Sequence, residues 1–148
     1  MLISVQPEDF DPTAVANELR GARRDIGAVV SFTGLVRDLT PTYDLQALQL
    51  EHYPGMTETA LRQIGRSAMQ RWPVDDLAMI HRVGRLLPAE QIVLVVVLSA
   101  HRRAAFEACD YLMDYLKTRA PFWKKEITTG GEVWVEAHQS DQQDADRW

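Results

Sequence analysis

A single cysteine, Cys109, stands among the 148 residues. One thiol excludes an intrachain disulfide and leaves too few soft ligands for a Cys-based zinc site. Four histidines, His52, His81, His101 and His138, are scattered without ligand-type spacing, so no metal is expected. Long apolar runs are missing as well: the longest, Ile92 to Leu98, is far below the roughly 20 residues of a membrane-spanning helix. The opening "MLISVQPEDFDP" has no basic region followed by an apolar stretch, so a signal peptide is not expected and a cytoplasmic location is. Basic residues are outnumbered, 16 Lys and Arg against 21 Asp and Glu, for a net charge of -5 and a pI near 5.3. That balance argues against a general nucleic-acid binder and requires any anion site to be local. Neither a G-x-x-x-x-G-K-[ST] loop nor a G-x-S-x-G elbow occurs, which argues against an NTPase and a serine hydrolase.

What is present suits a folded chain, with 46% hydrophobic and 25% charged residues. A short strand is expected at residues 2–5, then a helix from Pro12 to Arg20 with Asp11 as N-cap. "GAVVSFTGLVR" reads as a strand in which Gly34 marks a bulge or a close approach, placing Arg37 at the strand end beside the loop "DLTPTYD". "LQALQLEHY" alternates as a half-buried strand, and Thr57 to Trp72 carries one apolar helical face. "LAMIHRVG" and "QIVLVVVLSA" are two more strands, the second apolar enough to be central and covered on both faces. From about His101 to Thr118 a helix presents Ala105, Ala108, Cys109, Leu112, Met113 and Leu116 as one core-facing stripe. "FWKKEIT" and "EVWVEA" read as a hairpin joined through Thr129, Gly130 and Gly131, and the tail "HQSDQQDADRW" is polar and acidic. With no repeat or linker, residues 1–148 are expected to form one α+β domain.

Two cationic clusters flank the long helix. In "SAHRRAAF", His101, Arg102 and Arg103 sit where a strand enters a helix, and a helix N-terminus attracts phosphate through its unpaired N–H groups and dipole. Solvated surface charge is the competing explanation, weakened because cations at this end oppose the dipole. In "DYLKTRAPFWKKE", Lys117 and Arg119 suit the negative end of the same dipole, whereas Lys124 and Lys125 need another reason. Strand alternation puts Lys124, not Lys125, on the side of Phe122. A lysine partly desolvated near other cations has a lowered pKa and can act as base or nucleophile, whereas the helix C-terminus pushes Lys117 the other way, and the sequence leaves the balance open. Arg37 is a third candidate cation. Cys109 reads as a core thiol. Arg102 and Lys117 are fifteen residues apart, roughly 22 Å along a continuous helix, so one small ligand would need the two ends from different subunits of a symmetric dimer.

The blocks "FTGLVR", "LEHYPGMTE", "RWPV", "IHRVG", "SAHRRAAFEA", "DYLKTRAPFWKKE", "WVEA" and "SDQQDADRW", in that order, resemble the large, catalytic subunit of molybdopterin synthase, the MoaE family. The resemblance implies an α/β hammerhead-type fold with mixed and antiparallel sheets and packed helices. It implies a homodimer at the centre of a heterotetramer, flanked by small ubiquitin-like, MoaD-like sulfur-carrier subunits with C-terminal Gly-Gly thiocarboxylates. The activity implied is transfer of two sulfurs to cyclic pyranopterin monophosphate, giving the dithiolene of molybdopterin, with no cofactor of the enzyme's own. An enzyme whose one thiol is buried agrees with sulfur arriving on a partner. By motif, Lys117 and Lys124 match the family's catalytic lysines, serving proton transfer and stabilisation of the thiocarboxylate and acyl intermediate. Arg37, His101 and Arg102 match the substrate-phosphate pocket, and Leu35, Val36, Lys125 and Glu126 line it by position.

The match has departures. Leu35 stands where many relatives have Lys, and His138 of "WVEAH" stands where bacterial relatives often have Arg, exchanging a permanent cation for a residue type that titrates near neutrality. Trp123, Pro121 and Phe122 are expected to pack the helix-to-strand corner, with addition of the carrier's tail to the 122–128 strand as a lesser possibility. Two rivals remain at this level: a phosphate-ester enzyme using Lys117 or Lys124 in Schiff-base chemistry, and a non-catalytic dimeric scaffold for a ubiquitin-like protein.

Overall fold

The computed structural model describes residues 1–38, 44–136 and 138–148. Its elements are β1 (Leu2–Gln6), α1 (Pro12–Arg20), β2 (Ala28–Leu35), β3 (Leu45–His52), α2 (Met56–Arg71), β4 (Val74–Arg82), β5 (Gly84–Leu86), β6 (Gln91–Ser99), α3 (Arg102–Thr118), β7 (Phe122–Thr128), β8 (Gly131–Val135) and α4 (Gln139–Asp146). Asp11 caps α1 by accepting from the Ala14 amide, one of the donors the first turn leaves without a helical partner. Residues 39–43 of the expected loop "DLTPTYD", and Ala137 at the end of "EVWVEA", lie outside the described residues.

The strands make two four-stranded sheets, ordered β1-β4-β6-β2 and β5-β3-β7-β8. Only the β1–β4 pair is parallel among the described strands. β6 lies inside the first sheet, and its apolar run is covered on both sides because successive side chains point to opposite faces. Leu94, Val96 and Leu98 meet Phe10, Val15 and Leu19. Val93, Val95 and Val97 face the larger core, shared with Leu61 of α2 and with Ala105 and Leu112 of α3. The stripe expected on α3 is therefore the one buried, Met113 only partly so.

At Gly34 the β2–β6 register shifts, Gly34 pairing with Val93 and Leu35 with Gln91. A Cβ on Gly34 would stand 2.6 Å from Val93 Cγ1, so the glycine serves both expected purposes, bulge and close approach.

Three features depart from expectation. Gly84, at φ 90°, turns the chain out of the first sheet, so the end of "LAMIHRVG" opens a separate strand, β5, in the second. The acidic tail is a helix, too poor in apolar residues to show a helical period, and α3 holds it: Arg147 pairs with Asp110 and Asp114 at 3.0 and 2.9 Å. Trp148 donates to Asp114 at 2.6 Å and packs edge-on to Trp72 and Tyr111. Finally, β7 pairs with β3 on one side and β8 on the other, so addition of an extended tail to its edge is excluded.

Candidate active site

The second sheet brings the end of α3 and the start of α4 over β7. Along β7, Phe122, Lys124 and Glu126 point to one face and Trp123, Lys125 and Ile127 to the other. Lys124 lies between Leu50 of β3 and Val135 of β8 and is half-buried. Desolvation, and after it the charge of Lys117, hold its pKa below the usual lysine value, while Asp141 acts in the opposite sense. The side chain is thus a partly dehydrated amine that gives up its proton more readily than a surface lysine.

Lys117, in the last turn of α3, reaches Asp141 in the first turn of α4 at 3.0 Å. Asp141 is the sharper of the two in burial, 15% exposed against 51% for Lys117. Lys117, Lys124 and Asp141 form one electrostatic cluster, contributed by three elements. Sequence reasoning missed Asp141, whose signal was faint: an acidic residue in a first helical turn, with Ala145 and Trp148 three residues apart behind it.

Under Lys124 lies a ring stack. His81 of β4 packs on Phe122 with centroids 3.9 Å apart and planes 20° from parallel, and His52 of β3 approaches the same ring at 6.3 Å. Burial drives the His81 pKa down to about 4; the hydrogen bond between Nδ1 and the Arg82 carbonyl opposes that, and the charges of Lys124 and His52 add to it. His81 is therefore neutral at pH 7, and Nδ1 is the protonated nitrogen because a carbonyl accepts from it. His52 Nδ1 is buried without a hydrogen-bond partner among the described residues. Of the residues expected at the helix-to-strand corner, Phe122 takes this stack with β3 and β4 side chains, and Trp123 lies against Tyr53 at 4.6 Å while donating to Glu51 at 3.0 Å.

Lys125 is turned away from Lys124. Its ammonium pairs with Glu132 at 2.7 Å and lies 5.4 Å from the Trp134 ring. Glu126 shares the face of Lys124.

At the other end of α3, the buried Ser99 hydroxyl donates to the Pro73 carbonyl at 2.8 Å and accepts from the His101 amide at 3.1 Å, fixing the turn into the helix. His101 is the N-cap residue without a side-chain capping bond, and both it and Arg102 are exposed. Arg103 pairs with Glu107 one turn on, at 2.9 Å. Since α3 is unbroken from Arg102 to Thr118, this end stands a helix length from the lysines. Arg37 follows β2 and is exposed, whereas Val36 is buried and Leu35 exposed. Within one chain the structure gathers Lys117 and Lys124 but leaves His101 and Arg102 far from them. Cys109 is buried in the α3 stripe, its thiol pKa pushed up to about 12 chiefly by burial, which leaves no thiolate to carry sulfur.

The family model described as "MoaE protein" matches residues 5–119. This chain belongs to the MoaE family. A curated relative from Pseudomonas aeruginosa, named molybdopterin synthase catalytic subunit, is 55% identical over 148 residues, covering 100% of this chain and 99% of the relative. Among solved structures, the molybdopterin biosynthesis MoaE protein from Burkholderia ambifaria matches with a TM-score of 0.85 at 51% identity, over 99% of this chain and 97% of that one. Molybdopterin synthase from Staphylococcus aureus matches at 0.83 with 33% identity, over 89% and 95%. The α+β, hammerhead-type architecture implied by the MoaE resemblance is the observed one. The matched family span includes Lys117 and ends before Lys124, whereas the Pseudomonas relative aligns through β7 and α4.

Proposed function

We propose that this chain is the sulfur-transferring catalytic subunit of a molybdopterin synthase. It would act as a single domain in the cytoplasm, as a homodimer flanked by two small MoaD-like carriers. The observation that carries the reading is the half-buried Lys124, with its lowered pKa, beside Lys117. The carrier's Gly-Gly thiocarboxylate approaches the lysines, and its sulfur displaces one oxygen of the cyclic pyranopterin monophosphate side chain, which leaves protonated. Water hydrolyses the resulting acyl thioester to leave the sulfur on the pterin and the carrier as its carboxylate. Lys117, held by Asp141, supplies a fixed positive charge for the anionic thiocarboxylate and acyl intermediate. Lys124, whose burial lowers its pKa below the usual lysine value, serves proton transfer to the departing oxygen.

Substrate phosphate is assigned to Arg37, His101 and Arg102, with Leu35, Val36, Lys125 and Glu126 lining the pocket. The pairing of Lys125 with Glu132 makes its contribution backbone or neutralised charge rather than a free ammonium. The unbroken α3 supports a composite pocket: its two ends are roughly 22 Å apart at about 1.5 Å per residue, so His101 and Arg102 would come from the second subunit. β2 is an edge strand with exposed Val29 and Phe32, a surface suited to pairing with a second copy. No helix among the described residues is long and apolar enough to cross a membrane.

The test is reconstitution. Mixed with thiocarboxylated carrier and cyclic pyranopterin monophosphate, the protein should form dithiolene, and the Lys117→Ala, Lys124→Ala double variant should be folded and inactive. Product formation by the double variant would favour a scaffold, and borohydride trapping of substrate on a lysine would favour Schiff-base chemistry.

A further inference from the structure

The turn at residues 87–90 lies outside the lysine cluster and the cationic end of α3, yet it is built with unusual constraint. Ala89 has φ 72°, a left-handed conformation that glycine adopts freely and alanine does not. Such strain persists where the surroundings over-determine it. Glu90 supplies part of that determination: its carboxylate accepts from the Leu87 amide across the turn and lies 3.5 Å from the Arg82 guanidinium. Arg82 is 7% exposed, donates twice to the Pro7 carbonyl at 3.1 and 3.0 Å, and donates to the Gln91 carbonyl at 2.9 Å. The Gln91 side chain in turn bonds Asp9 and the Phe10 carbonyl at 2.8 and 2.7 Å. The turn is thereby tied to the end of β4 and to the segment after β1.

What the turn grips is Val36. The Val36 amide donates to the Glu90 carbonyl at 2.9 Å, and the Ala89 amide donates to the Val36 carbonyl at 2.7 Å. With both backbone groups engaged and its side chain 4% exposed, Val36 is immobilised immediately before Arg37. Arg37 is exposed, so the direction of its side chain depends on the backbone from which it leaves. Guanidinium recognition of phosphate is directional, and small misplacements of such a clamp weaken binding steeply. The strained conformation of Ala89 brings the Ala89 amide and the Glu90 carbonyl together onto Val36, the residue that follows β2.

We propose that Arg82 and Glu90 are positioning residues for substrate recognition: through the Ala89–Glu90 turn they clamp Val36 and set the direction in which Arg37 meets the substrate's phosphate. The inference rests on the reading of Arg37 as a phosphate contact. Arg82 and Glu90 act through Val36 and do not themselves touch substrate.

The experiment measures steady-state dithiolene formation with thiocarboxylated carrier at varied cyclic pyranopterin monophosphate, together with Tm. It compares the wild type with Glu90→Ala, Glu90→Gln, Arg37→Ala and the Arg37→Ala, Glu90→Ala double variant. Glu90→Ala is expected to raise KM for the pterin about tenfold with kcat within about twofold. Glu90→Gln, which keeps the acceptor for the Leu87 amide but loses the charge facing Arg82, should fall between Glu90→Ala and wild type, and it carries the test should Glu90→Ala not fold. In the Arg37→Ala background, adding Glu90→Ala should change KM no further. Additive effects in the double variant, or loss confined to kcat and following Tm, would overturn the proposal in favour of a purely structural turn. A raised KM in Arg37→Ala with both Glu90 variants normal would overturn positioning alone. An unchanged KM in Arg37→Ala would overturn the phosphate reading and this inference with it.

Discussion

Lys117 Nζ lies 3.0 Å from Asp141 Oδ1, joining the last turn of α3 to the first turn of α4 beside Lys124. Asp141 is the one group of this cluster that favours the charged form of Lys124. Removing its charge in Asp141→Asn therefore lowers the Lys124 pKa further. The limb of the pH–rate profile that follows Lys124 deprotonation should move to lower pH in the variant. Profiles of dithiolene formation across the neutral and alkaline range measure this, and an unmoved limb would separate Asp141 from Lys124.

Lys124 itself should cost stability. Its folded-state pKa lies below the ordinary value of 10.5 because burial disfavours the ammonium. The unfolded chain thus holds that proton more tightly, so the penalty is present at neutral pH and relieved as pH rises toward 10.5. Lys124→Met, similar in length and apolar, is expected to stabilise at pH 7 by on the order of 1 kcal/mol, a Tm increase of a few degrees, while abolishing dithiolene formation. Thermal unfolding at pH 7 checks the sign, and a lowered Tm would contradict it.

His81 makes the opposite pH demand. Its folded pKa of about 4 lies below the ordinary 6.5, so the stability it contributes is fully present above pH 6.5 and is lost as pH falls toward 4. The loss amounts to about 3 kcal/mol over that window. In His81→Phe, which keeps an aromatic face for Phe122, urea midpoints should fall less steeply between pH 6.5 and 4 than in the wild type. Parallel curves for the two proteins would exclude His81 as the source.

Gly34 offers a packing test near Arg37. An added methyl would stand 2.6 Å from Val93 Cγ1, so Gly34→Ala should destabilise by roughly 1–3 kcal/mol through overpacking. Val93→Ala removes the obstructing methyl, and the double variant should lose less than the sum of the single changes. Additivity in denaturant unfolding would show that the contact does not set the cost.

Legibility in the sequence followed the range of the interactions. The central β6 was readable from Ile92–Leu98, the α1 cap from Asp11 and Pro12, and the α3 stripe from its spacing, since each depends on neighbours along the chain. The bulge at Gly34 was readable because its cause is the absence of a side chain. The switch into β5 and the helical tail were not. Gly84 gives no sign of which sheet follows it, and α4 is held by Arg147 and Trp148 against a face of α3 more than thirty residues earlier.

The same division holds for the site. By itself the sequence determined the two cationic ends, the alternation that separates Lys124 from Lys125, and an inert Cys109, because residue type and local period settle them. Tertiary structure decided that Asp141 neutralises Lys117, that His81 and Phe122 floor the space beside Lys124, and that the Ala89–Glu90 turn grips Val36. Those contacts join residues distant in sequence, and their energies come from burial and direction, which exist once the chain has closed on itself.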